Sequence, residues 1–180
     1  MLNHVRNSQA GRRNYEMVTD ALYKVTFIPP AGVAGAEILT EQCISITGWK
    51  RPGPEAVQQQ FNQARRNYAS VDVDNTQTLS ATFEMNLNEA NQNYVYNTMV
   101  DWANLIFNDQ TGERGLKKDY VGTIIIEQHD PKGNIYWTRK LQNAWVSGEF
   151  ASIGQNDVAS ADPVKFECTI IADWYDEERK

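Results

Sequence analysis

The chain has 180 residues, 41% of them apolar, a formal charge of −6 and a pI near 4.9. That length suits one domain with its own core. A mean hydropathy of −0.57 without a long apolar run excludes a membrane-spanning helix, and the sign of the charge disfavours a basic nucleic-acid binder.

No apolar stretch followed by small residues marks the first thirty positions, so no secretory leader is expected and the domain reads as soluble and made inside the cell. Asn and Gln number 28 against 23 acids, so much of the polar surface is uncharged amide. Charge is divided along the chain: residues 1–66 hold eight Lys/Arg and five Asp/Glu, whereas 67–180 hold nine and eighteen. A front of +3 and a back of −9 is a division that head-to-tail self-association could use.

Residues 1–19 mix Asn, Gly and Arg without a period and read as a flexible arm. Ala21 to Ile28 alternates Tyr23, Val25 and Phe27 with Lys24 and Thr26, a strand stopped by Pro29-Pro30. Ile38 to Thr47 reads as a second strand, with Ile44 and Ile46 on one face. The stretch 48–67, GWKRPGPEAVQQQFNQARRN, breaks the pattern and reads as a long loop whose Trp49, Val57 and Phe61 would lie on the surface unless a partner covers them.

A short strand is expected over Tyr68 to Val73. A clear one follows over Thr76 to Leu87, where Leu79, Ala81, Phe83, Met85 and Leu87 alternate with polar residues. Asn88 suits an N-cap, and Val95, Met99, Trp102 and Ile106 place an apolar stripe on a helix from about 89 to 107. Tyr120 to His129 and Asn134 to Gln142 form a hairpin around Asp130-Pro131-Lys132-Gly133, a type I turn signal. Trp145 to Phe150 continues as a further short strand, and 154–162 is a loop. Val164 through Trp174 alternates as a long final strand, and 177–180 is a solvated, charged tail.

Hairpins dominate and no βαβ unit occurs, so the fold class is mainly β: an antiparallel sandwich or open barrel with one flanking α-helix. The core is expected to include Phe83, Met99, Trp102, Phe166, Ile170 and Trp174.

No catalytic constellation emerges. Asp72-Val73-Asp74 opens like a calcium loop, but Gln77 and Phe83 stand where glycine and a bidentate glutamate are needed. Thr111 to Gly115 lacks the Lys-Ser/Thr ending of a phosphate loop, and His129 beside a turn has no nucleophile to serve. Cys43 and Cys168 read as free thiols packed like small apolar groups; a disulfide would require their strands to be neighbours. Neither metal nor cofactor is expected. Trp102 and Trp174 fall on apolar stripes, leaving Trp49, Trp137 and Trp145 available for ligand contact.

The order of LYKVTFI, CISITGW with its long loop, the helix carrying VDWANLI, the hairpin GTIIIEQHDPKGNIYWTRKLQNAWV and the terminal VKFECTIIADWYDE resembles the tail-tube proteins of contractile-tailed bacteriophages. It is similar, more distantly, to inner-tube proteins of extracellular contractile injection systems and type VI secretion. The resemblance spans about residues 20–176. It implies hexameric rings stacked into a hollow tube in the virion tail, assembled in the host cytoplasm, with a sheath outside and baseplate and terminator proteins at the ends. Double-stranded DNA would pass without being held, and no stable membrane association is implied. Trp49, Lys50, Arg51, Phe61, Arg65 and Arg66 become expected contacts between subunits or rings, and Glu41, Asp72 and Asp74 expected lumen-facing acids, since an acidic wall avoids attracting phosphate. Two other functions stay open: an injection-system tube carrying protein, and a monomeric β-sandwich that binds a ligand through the exposed tryptophans.

Overall fold

The computed structural model describes residues 22–62, 64–86, 94–147 and 162–179. The expected arm 1–19, the Asn88 cap and most of the 154–162 loop lie outside them. Among the described residues, eight strands and three helices follow one another: β1 Tyr23–Ile28, α1 Ala36–Gln42, β2 Cys43–Thr47, β3 Ala56–Phe61, β4 Ala64–Ala69, β5 Gln77–Glu84, α2 Tyr94–Ile106, α3 Lys117–Tyr120, β6 Gly122–His129, β7 Ile135–Ser147 and β8 Lys165–Arg179.

Among the described residues, six strands form one antiparallel sheet in the order β1-β6-β7-β8-β5-β2, while β3 and β4 pair only with each other. The sheet curls until its edges approach. Tyr23 on β1 donates its hydroxyl hydrogen to the carbonyl of Ile44 on β2 at 2.5 Å, and the Phe27 N–H donates to the Thr40 hydroxyl of α1 at 3.1 Å. The result is an open barrel whose seam is closed by side chains and a helix rather than by a ladder.

Alternation builds the core. Val25 and Phe27, Leu79, Ala81 and Phe83, Ile124 and Ile126, and Phe166, Cys168, Ile170 and Ala172 all point inward and are buried. Helix α2 supplies Val95, Thr98, Met99 and Trp102 from one stripe. The Trp102 indole donates to the carbonyl of Tyr120 at 2.8 Å, so the helix is tied to the turn of α3 as well as to the sheet.

Several expectations are corrected. Ile38 to Thr47 is not one strand: residues 36–42 form α1, whose Leu39 is its fully buried residue, and only 43–47 are extended. The 48–67 loop contains β3 and the start of β4, and the strand expected over 68–73 ends at Ala69. Tyr120 closes a helical turn rather than opening β6. Residues 135–147 run as one strand, and β8 continues through the expected tail to Arg179, pairing Arg139 with Glu177 and Trp137 with Arg179.

Trp174 is 51% exposed, not core. The inward phase of β8 shifts between Ala172, which is buried, and Tyr175, which packs on the core. Opposite it, Asn143 takes a left-handed φ of 54° and bulges out of β7 between the inward-facing Leu141 and Ala144. Both strands step three residues there instead of two, so Trp174 turns outward.

Candidate assembly surface: the projecting hairpin and its root

Every residue of β3 and β4 is exposed. The pairs Val57–Tyr68, Gln59–Arg66 and Phe61–Ala64 share one face of this ribbon, and Ala56–Ala69, Gln58–Asn67 and Gln60–Arg65 share the other. One face is therefore apolar and aromatic with a single cation, and the other carries amides and a cation. Arg65 and Arg66, neighbours in sequence, point to opposite sides. Asn62, at a φ of 51°, opens the two-residue connection as Asn does in tight hairpins. An isolated two-stranded hairpin is marginal in water, and Val57, Phe61 and Tyr68 each leave about half their surface open.

The two legs of this excursion, 48–55 and 70–76, are held more firmly than the hairpin they carry. Gly48 sits at φ 92°, where a Cβ would lie 2.6 Å from the Thr78 carbonyl oxygen, so β2 turns away directly over β5. The side chain of Gln77, fully buried, joins the legs: its oxygen accepts from the Lys50 N–H and its amide donates to the Asn75 carbonyl, each at 3.2 Å. Ser70 N–H donates to the Glu55 carbonyl at 2.7 Å where hairpin and legs meet. Asp74 accepts from the Thr76 N–H at 2.9 Å. Hydrogen bonds from Thr76, aided by the charge of Lys50, hold its carboxyl below the ordinary value of 3.8.

The expected contact cations and lumen acids meet here. Lys50, Arg51, Glu55, Asp72 and Asp74 line one open cleft of about 470 Å3 between the legs. Glu41 stands apart, exposed on α1. Trp49 is not a free anchor either. Its ring meets Trp137 at right angles, with centroids 5.6 Å apart, and Tyr175 edge-on at 6.3 Å. The guanidinium carbon of Arg139 lies 3.7 Å from the centre of the Trp49 ring and 3.5 Å from that of Trp137, in the corner between them. Burial lowers the Arg139 pKa from its ordinary value, opposed by the charge of Glu177 across the strand pair. Trp145 packs edge-on against Tyr120. The three tryptophans left for ligand contact thus all have aromatic neighbours.

Phe83, Met99, Trp102, Phe166 and Ile170 are all fully buried. The part that Gln77, Trp137, Arg139 and Tyr175 play at the root is not read from the sequence, which leaves Trp137 open for ligand contact and weighs Gln77 only as a failed calcium-loop position. Trp137, Arg139 and Leu141 alternate along β7, but nothing local in the sequence ties them to Trp49, which lies 88 positions before Trp137. Cys43 and Cys168 are free. Their strands are not neighbours, since β5 runs between β2 and β8; two strand spacings, about 9–10 Å, exceed the span of a disulfide. Among the described residues no group of His, Cys, Asp and Glu is placed to hold a metal ion.

No protein-family model matches the sequence, and no curated protein is recognisably similar to it. Solved structures are similar in fold. The tube-terminating cap of an anti-feeding prophage superposes with a TM-score of 0.61 at 13% identity, over 92% of this chain and 93% of that one. A chain of the sheath–tube complex of PVC, an extracellular contractile injection system in its extended state, gives 0.61 at 14% identity over 96% and 97%. A chain of the PVC sheath/tube terminator gives 0.61 at 13% over 92% and 99%. The chain therefore has the fold of tube and tube-terminating proteins of contractile injection systems, along nearly its whole length.

Proposed function

We propose that this chain is the structural, non-enzymatic subunit of the tube of a contractile tail, forming hexameric rings that stack around a channel. The observation that carries this reading is the union of a tube-protein fold over the whole chain with a projecting hairpin that its own domain leaves unpacked. Closure of a ring and stacking of rings each need two different complementary surfaces on one subunit. The apolar hairpin face is one such surface. Phe61 and Arg66 act there against a neighbouring subunit, with Arg65 on the reverse side and Lys50 and Arg51 at the root, while Trp49 acts from within by holding the root.

The sheath packs outside the tube, and baseplate and terminator proteins meet its ends. Its cargo is double-stranded DNA, delivered from a virion tail, and Asp72 and Asp74, with Glu41 from α1, face the lumen so that phosphate is not held. A density map with these carboxylates buried between subunits would refute that placement. A second cargo is favoured by the likeness to injection-system tubes: protein effectors in place of DNA.

Negative-stain images of the purified full chain test the proposal, with hollow rings or tubes expected and a uniform monomer contradicting it. Nuclease-sensitive contents in native particles support the DNA reading, and protein contents support the second.

A further inference from the structure

We infer that Arg139 is a positioning residue for the hairpin: it locks the root of the excursion to the far ends of β7 and β8, and so fixes the direction in which β3 and β4 project. Its importance for assembly rests on the function proposed above; its hold on the root does not.

Sheet hydrogen bonding cannot provide this hold. β2, from which the excursion leaves, is separated from β7 by β5 and β8, so no ladder joins Trp49 to the strand that carries Trp137 and Arg139. The connection is made by side chains alone. Trp137 and Arg139 belong to the part of β7 that runs beyond the bulge at Asn143, paired with Arg179 and Glu177. There the inward face of the strand pair extends past the α2-covered core, and Trp49 covers its end together with Tyr175.

A merely apolar lid would be served by a leucine, which packs without specifying an angle. A planar guanidinium set in the corner of two perpendicular indoles is different, because each ring face attracts the cation only from a limited set of directions. The neighbouring charges are accounted for. Glu177, with only 11% of its side chain exposed, faces Arg139 across the strands and pairs with Arg179 at 2.9 Å, while Arg179 also lies 5.5 Å from the Trp137 ring. Among the described residues the corner gathers the rings of Trp49, Trp137 and Tyr175, the cations Arg139 and Arg179 and the carboxylate of Glu177, and Trp49 is what the excursion contributes to it. Adjacent in sequence, the Lys50 N–H is fixed by Gln77. An indole lock and an amide lock on successive residues determine the direction of the leg.

The test compares Arg139→Leu and Arg139→Lys with the unaltered full chain by amide hydrogen exchange, thermal unfolding and tube yield. For Arg139→Leu, exchange in residues 48–55 is expected to rise about five- to tenfold, while β5 and β8 amides keep their protection. Tube yield should fall with it, and Arg139→Lys, which keeps the charge without the plane, should be intermediate. Unchanged exchange in 48–55, or an equal rise throughout the core strands, overturns the inference. Trp49→Leu breaks the same corner from the other side and serves if Arg139→Leu does not fold. Loosened exchange in 48–55 in a chain whose unaltered form makes no tubes would uphold the lock and refute the assembly reading.

Discussion

Gly122 opens β6 against the face of α2, and a Cβ there would lie 2.6 Å from the Ile28 carbonyl oxygen and 3.0 Å from Cζ2 of Trp102. Neither neighbour is the free end of a flexible chain. Gly122→Ala is expected to cost about 1–3 kcal/mol in urea unfolding, and a wild-type midpoint would show that β1 and α2 can retreat. The two thiols make a second prediction. Burial pushes both Cys43 and Cys168 up to about 12 from an ordinary 9.0. Thiolate is the reactive form, so neither should react with maleimide at pH 8 until the chain is unfolded. Because the folded value lies above the unfolded one, the fold favours the neutral thiol. Their contribution to stability is complete below pH 9 and declines as pH rises towards 12, which urea midpoints across that range will show. The two cysteines follow from sequence by residue type. The Gly122 clash does not, since it is made by atoms 94 and 20 residues away.

At the scale of elements, legibility followed burial. β1, β5, β6 and the first part of β8 have one covered face, so their alternation is written in the sequence. Helix α2 is equally plain because Val95, Met99 and Trp102 return at helical spacing. α1 is too short for a period to develop, and Ile38, Thr40, Ile44 and Ile46 imitate a strand. β3 and β4 were illegible for the opposite reason to the core strands: with both faces in water, nothing sorts Gln58, Gln59 and Gln60 into inside and outside. Trp174 departs from the expected core because the inward phase of β8 changes by one residue after Ala172, which composition does not record. A hairpin without packing on its own domain should be dispensable to it. Replacing 56–69 by a short Gly-Ser link is expected to leave thermal unfolding within a few degrees of wild type and to abolish tube formation by sedimentation. Collapse of the domain would assign the hairpin a role in the fold instead.

For the whole molecule, the charge of −6 no longer reads as a uniform property. Part of the excursion's positive charge is answered inside the same subunit, where Lys50 and Arg51 share a cleft with Asp72 and Asp74. Arg65 and Arg66, out on the hairpin, pair with no acid among the described residues. The division into a basic front and acidic back was visible in sequence, but the partial cancellation was not, because it depends on the excursion folding back on itself at Gln77. The candidate surface was legible as a place and not as a shape: the exposed hairpin falls within the stretch 48–67 that the sequence singles out, with its ribbon form, its two faces and its buried root missing.

The bare hairpin also bears on time. A ribbon that gains apolar cover only from a neighbour gains little in the first encounter of two free subunits, and more where an existing end already presents a complete set of contacts. Growth of this kind begins slowly and extends quickly. Light scattering from purified subunits should show a delay that fragments of preformed tube remove, whereas a rise without delay would mean that the hairpin is already stable alone. In such a system, the moment of assembly is set by whatever offers the first finished end, and the supply of subunits matters less.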